Sequence, residues 1–193
     1  FIPSNLQLLL HTHHLRLRHT FTITHESRDV QPTLIVELRD GTISGYGEAT
    51  ETPYYGVTIP GMTARLEAAR SEIEGYDFDR PGASPEDFFS RMEPLLADDH
   101  PFALCALDVA ANDLWGKKQG QPLYAAWGLD PARNPITDYT IGIDTIGKMV
   151  EKMREVPFPL YKIKLGTPDD LAIVRELRRH TDATFRVDAN TAW

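Results

Sequence analysis

Two lysines separated by one residue, Lys162 and Lys164, are followed by a helical stretch and then by Arg186-Val187-Asp188-Ala189-Asn190. A strand points alternate side chains to opposite faces, so the two ammonium groups share one face while Tyr161, Ile163 and Leu165 line the other. On the next strand Arg186, Asp188 and Asn190 again share one parity. Parallel strands joined by a helix are normally covered on both sides and read as near-continuous apolar runs. Two neighbouring strands that both break this rule imply a shared polar interior, such as the mouth of a barrel that holds ions and substrate. Lysine on an edge strand also protects against aggregation. It is the Asp188 strand alongside that favours the cavity.

These residues need elements to carry them. After Pro135 strand and helix alternate: strand over 136–143, helix over 145–155, strand over 160–165, helix over 168–180 and strand over 184–188. Thr167-Pro168-Asp169-Asp170 reads as a helix start, with a capping hydroxyl, proline at the first position and acids at the positive dipole end. This is the opening of a (β/α) barrel, and it is cut short, because a closed eight-fold barrel takes roughly 250 residues. The sequence therefore reads as part of a longer protein, or as its ordered part.

Upstream lies a different pattern. Residues 6–10, 15–18 and 34–38 read as strand, Asp40-Gly41 as a hairpin turn and residues 43–48 as the return strand. Pro53, Gly56, Pro60 and Gly61 make residues 53–61 a loop. Helices are expected over 62–74, from a Ser84 cap with Pro85 at the first position, and over 103–118, where Leu104, Leu107, Ala111, Leu114 and Trp115 share a face. Strands followed by helices form an α+β module over residues 1–130, and the barrel segment occupies 131–193.

At 193 residues, with 41% hydrophobic and 25% charged content, the chain is a globular sequence with room for a real core. Its net charge of −8 argues against a nucleic-acid groove, and nothing in it reads as membrane-spanning. One cysteine, Cys105, cannot form an internal disulfide, and no signal-like stretch is visible, so a reducing cytoplasm is the expected home. Cys105 reads as a small buried residue, Trp115, Tyr124 and Trp127 as core, and Gly45-Tyr46-Gly47 as the shaping of a hairpin end. His11 and His13 share a strand face, but with no carboxylate pattern nearby they read as an exposed strand and not as a metal site.

The hairpin-led module, a barrel entered through Asp138-Tyr139-Thr140-Ile141, the Lys-x-Lys strand and the Arg-Val-Asp-Ala-Asn-x-x-Trp strand end together resemble the enolase superfamily. The likeness is nearest to the muconate-lactonising subgroup and its dipeptide epimerases of the L-Ala-D/L-Glu epimerase type. It covers essentially the whole chain and stops in mid-barrel. The resemblance implies an α+β N-terminal capping domain followed by the first strands of a TIM-type barrel, truncated. It implies Lys164 as the acid/base on one side of the substrate α-carbon, with Lys162 as the neighbouring charge that helps stabilise an enolate. It further implies Asp188 as the first metal ligand, at the C-terminal end of a barrel strand, with Asn190 beside that site. Thr140 resembles a substrate-contacting position. Two covering loops correspond to residues 21–29 and 49–57, where His25, Glu26 and Tyr54 are expected substrate contacts.

Removing a proton α to a carboxylate leaves a strongly basic dianion, which a divalent cation on the carboxylate oxygens stabilises as a Lewis acid. A lysine serves as base only if desolvation and a like charge lower its pKa, and Lys162 beside Lys164 with a metal nearby would supply both. Superfamily sites pair a lysine base with magnesium, and a carboxylate ligand without a Cys/His cluster agrees with Mg²⁺ over zinc. The expected function is Mg²⁺-dependent 1,1-proton transfer that epimerises a dipeptide, an isomerase activity. The second base and remaining metal ligands would come from later strands. Alternatives are a syn-eliminating or cycloisomerising enzyme of the same scaffold, of the o-succinylbenzoate synthase or muconate cycloisomerase kind, or a non-catalytic binding protein. Barrels of this kind are often symmetric homo-oligomers.

Overall fold

The structure, a computed structural model, describes residues 5–193 apart from residue 99. Its strands and helices are β1 (Leu6–Ile23), β2 (Glu26–Asp40), β3 (Ile43–Thr50), α1 (Ile59–Ala68), α2 (Arg70–Glu74), α3 (Pro85–Leu96), α4 (Pro101–Lys118), α5 (Leu123–Ala126), β4 (Tyr139–Ile141), α6 (Ile146–Glu155), β5 (Leu160–Lys164), α7 (Asp170–Arg178) and β6 (Thr184–Asp188). One sheet has the order β1-β2-β3 and a second the order β4-β5-β6. The chain divides into two compact units: residues up to Leu15 with Gln31–Ala132, and Arg16–Val30 with Arg133–Trp193. The tip of the first hairpin, residues 16–30, thus groups with the later strands, apart from the 1–130 stretch in which it lies. No local pattern announces this, because the same two strands run through both units.

In the first unit the antiparallel β2–β3 pair turns at Gly41-Thr42, with Asp40 opposite Ile43 and Gly41 at φ +59°. A glycine at positive φ in the first central position suits a two-residue hairpin. The inward residues of β3 are Gly45, Gly47 and Ala49. A Cβ on Gly45 would lie 2.2 Å from the Ala110 carbonyl, and one on Gly47 would lie 1.9 Å from that of Ala106. Gly45-Tyr46-Gly47 therefore does more than end a hairpin, because it lets α4 lie directly against the strand. Helix α4 buries Ala103, Ala106 and Ala110 as well as Leu104, Leu107 and Leu114, more than the one face its leucines predict. The core is completed by Leu34, Val36 and Leu38 of β2 with Met62, Phe88 and Met92.

Several sequence expectations change here. Helix α1 starts at Ile59, with Pro60 and Gly61 in its first turn, where the missing proline N–H has no intrahelical partner to lose. Thr58 caps it by accepting from the Gly61 amide at 3.2 Å. Cys105 is exposed rather than buried, on the side of α4 that lines a shallow cavity with Ala49, Pro101 and Phe102. Tyr124 and Trp127 are about half exposed, so they are not core, while Trp115 packs at the core margin. His11 does meet a carboxylate: its Nε2 lies 2.8 Å from Glu37, which also accepts from Ser44 and Arg39. Burial alone would raise the Glu37 pKa, but the hydrogen bonds from Ser44, His11 and Arg39 outweigh it and bring it down to about 2.

In the second unit β4, β5 and β6 are parallel and in continuous register. Tyr161, Ile163 and Leu165 are buried against α6 and α7 among Met149, Met153, Ile173 and Leu177. The first strand, expected over 136–143, is limited to Tyr139–Ile141. Helix α7 starts at Asp170, two residues later than the proline suggested. The Asp170 carboxylate turns back to accept the Gly166 and Thr167 amides at 3.0 and 2.8 Å. Among the described residues no helix is long and apolar enough to cross a membrane.

Candidate active site

The register of the parallel sheet stacks polar residues in two rows. Thr140, Lys162 and Arg186 are partners across β4, β5 and β6, and one step further Lys164 is opposite Asp188. All lie on the face opposite Tyr161 and Ile163, as period-two alternation requires. The Lys162 and Lys164 ammonium groups both reach Asp188 Oδ2, at 3.0 and 2.8 Å. Lys164 also donates to Asn190 Oδ1 at 3.2 Å, and the Asn190 amide donates to Asp188 Oδ1 at 2.9 Å. Lys164 is only 8% exposed, although it carries a formal charge.

Such an arrangement is electrostatically tight. Hydrogen bonding from Lys164, then the Asn190 amide and Lys162, holds the Asp188 carboxyl well below the usual carboxylate range, so it is ionised throughout the physiological span. The Asp188 carboxylate and the Asn190 side-chain oxygen are hard oxygen donors. Magnesium keeps several waters and is commonly held by one or two carboxylates, so this donor chemistry fits it. Among the described residues no group of three His, Cys, Asp or Glu gathers into a cation cage.

The other candidate residues are dispersed. His25, at the two-residue tip between β1 and β2, lies 2.9 Å from the Asn190 carbonyl through its Nε2. Glu26 opens β2 and pairs with Arg28. The expected covering loop at 21–29 is thus mostly strand, with only Thr24 and His25 in the turn. Tyr54 belongs to the first unit, where it is exposed and its ring meets Tyr55 edge-on at 4.9 Å. Sequence reasoning missed Asp138, which accepts from Arg186 at 2.5 Å, and Thr24, whose hydroxyl meets the carbonyls of Leu165 and Ala189. It also missed Asp170, which ties Trp193 Nε1 at 2.9 Å to the turn after β5. The acidic residue two before Thr140 was a visible signal for the first; the other two depend on tertiary closure.

No protein-family model matches the chain. It is 53% identical over 188 residues to an L-Ala-D/L-amino acid epimerase of Flavobacterium johnsoniae, covering 97% of this chain and 54% of that protein. An enolase family member from Agrobacterium tumefaciens with homology to dipeptide epimerases superposes with a TM-score of 0.80 at 30% identity, over 97% of this chain and 55% of its own. The chain belongs to the enolase superfamily. A dipeptide epimerase from Enterococcus faecalis, solved with Mg and the dipeptide L-Leu-L-Tyr, superposes with a TM-score of 0.83 at 32% identity, over 97% of this chain and 54% of its own. The α+β module and the opening of a barrel are therefore the N-terminal architecture of that superfamily. The chain spans about half the length of the curated relatives it matches.

Proposed function

We propose that the chain supplies one half-site of a magnesium-dependent isomerase that epimerises dipeptides by 1,1-proton transfer at a carbon α to a carboxylate. The observation that carries this reading is the convergence of two ammonium groups on one carboxylate at the ends of adjacent parallel strands. The relatives' names and the dipeptide and Mg bound in the Enterococcus protein support it.

Lys164 takes the proton from one face of the α-carbon for one epimer and, in the reverse direction, delivers a proton to that same face, while a base outside this chain segment serves the opposite face; its burial keeps water from competing for that proton. Lys162, less buried, offers its charge to the enolate that develops on the substrate. Asp188 would hold the cation, with Asn190 steadying Lys164 and the carboxylate. Bound magnesium would supply Lewis-acid polarisation of the substrate carboxylate. Thr140, in register with Lys162, is proposed with Glu26 to contact the substrate.

The test is solvent deuterium exchange at the α-carbon across a dipeptide library, with Mg²⁺ and the full-length protein. The reading expects label in both stereoisomers of at least one dipeptide. A syn-eliminating enzyme would exchange no dipeptide, and a binding protein would exchange nothing at all; either result contradicts it.

A further inference from the structure

The β5–β6 ladder ends where the chemistry begins. Its last rung is the Leu165 amide donating to the Asp188 carbonyl at 3.0 Å. Beyond it both chains leave strand geometry: Gly166 has φ +116°, Asn190 φ +48° and Thr191 φ +65°. Non-glycine residues at positive φ persist only where their surroundings hold them. Here the surroundings are the two residues at the tip of the first hairpin. Thr24 Oγ1 lies 3.2 Å from the Leu165 carbonyl and 3.0 Å from the Ala189 carbonyl, so its one proton bridges the two strand ends where the backbone ladder has stopped. His25 Nε2 lies 2.9 Å from the Asn190 carbonyl and 3.2 Å from Thr191 Oγ1, gripping both left-handed residues. The fit is close, since a Cβ on Gly166 would lie 2.3 Å from Thr24 Oγ1 and 2.9 Å from Ala192 Cβ.

What this turn holds matters, because Asn190 is bonded on both sides of the site. Its amide fixes Asp188 Oδ1 and its side-chain oxygen accepts from Lys164. If the turn relaxed towards ordinary backbone angles, the amide and the side chain of Asn190 would swing together, and Asp188 and Lys164 would lose a shared partner.

We infer that Thr24 and His25 are positioning residues for proton transfer, latching the hairpin tip to the 189–191 turn so that Asn190 keeps Lys164 and Asp188 in their working geometry. His25 thereby acts through the Asn190 carbonyl and not on the substrate. This rests on the function proposed above, because it gives Lys164 and Asp188 their purpose.

The test uses the full-length protein with Thr24→Val, Thr24→Ser and His25→Ala, reading kcat and KM for α-deuterium exchange and, separately, amide hydrogen exchange over residues 189–192. Thr24→Val and His25→Ala should each lower kcat by about 10-fold or more with KM moving less than about 3-fold, since small misplacements at a reacting centre are costly. Both should also speed amide exchange at 189–192, and Thr24→Ser should restore both readouts. Unchanged amide protection in Thr24→Val and His25→Ala overturns the latch. A rise in KM at constant kcat in His25→Ala overturns it too, by making His25 a substrate contact. Should the wild-type protein exchange no dipeptide, the proposed function fails, and the amide-exchange arm alone decides the latch.

Discussion

Strands β3 and β5 obey the same alternation and use it for opposite ends. The inward face of β3 is emptied, Gly45, Gly47 and Ala49, so that the backbone of α4 can come close. On β5 the apolar residues face the helices, and the other face is given to Lys162 and Lys164. In the first case the missing side chains provide packing; in the second the charged ones are kept in place by a single carboxylate on the next strand. Polar residues on a covered sheet therefore mark chemistry, whereas small residues on one mark close approach.

The contrast can be broken at its most sensitive point first. Asp188→Asn removes the carboxylate on which both ammonium groups converge, and should lower α-proton exchange by about 10³-fold or more. Its effect on folding should be smaller, about 1–3 kcal/mol, because the buried Lys164 loses its carboxylate partner while Lys162 is partly exposed; steady-state exchange and urea unfolding read the two separately. Gly47→Ala should do the reverse. Its methyl has no room beside the Ala106 carbonyl, so urea unfolding should reveal a loss of about 3 kcal/mol or more, with Mg²⁺ affinity intact in whatever remains folded.

Glu37 sharpens the comparison from the side of buried charge. Its folded pKa of about 2 lies below the ordinary 4.5, so its contribution is fully present above pH 4.5 and is lost as pH falls towards 2. The shift corresponds to a contribution on the order of 3 kcal/mol at neutral pH. Chemical denaturation at pH 7, 4 and 3 should show this decline, and Glu37→Gln should flatten it. Smallest of all, Cys105→Ala should change stability by less than about 0.5 kcal/mol, since the side chain is exposed. A thiol reagent should label Cys105 in the folded protein.

How legible this was in the sequence follows from the range of the forces involved. Lys162, Lys164 and Asp188 were visible because one strand period and one βαβ connection suffice to bring them together. The Ser84 cap and the Asp40-Gly41 turn were equally local. Thr24 and His25 were not legible as partners of Leu165, Ala189 and Asn190, because more than 140 residues separate them along the chain and no periodicity links them. The exposure of Cys105 was hidden for a related reason. Helix α4 is buried on so many sides that apolar neighbours in sequence did not reveal its one open edge. The start of α1 was obscured because Pro60 and Gly61 break a helix in its interior but not in its first turn.

The central claim is that Lys164 works from one side of the α-carbon within a charge cluster centred on Asp188. The most direct measurement takes each epimer of a substrate dipeptide separately into deuterated water with the full-length Lys164→Ala protein. Exchange should vanish for one epimer and persist for the other, whose proton faces the opposite base. Equal exchange of both epimers, or equal loss of both, would contradict the assignment of Lys164.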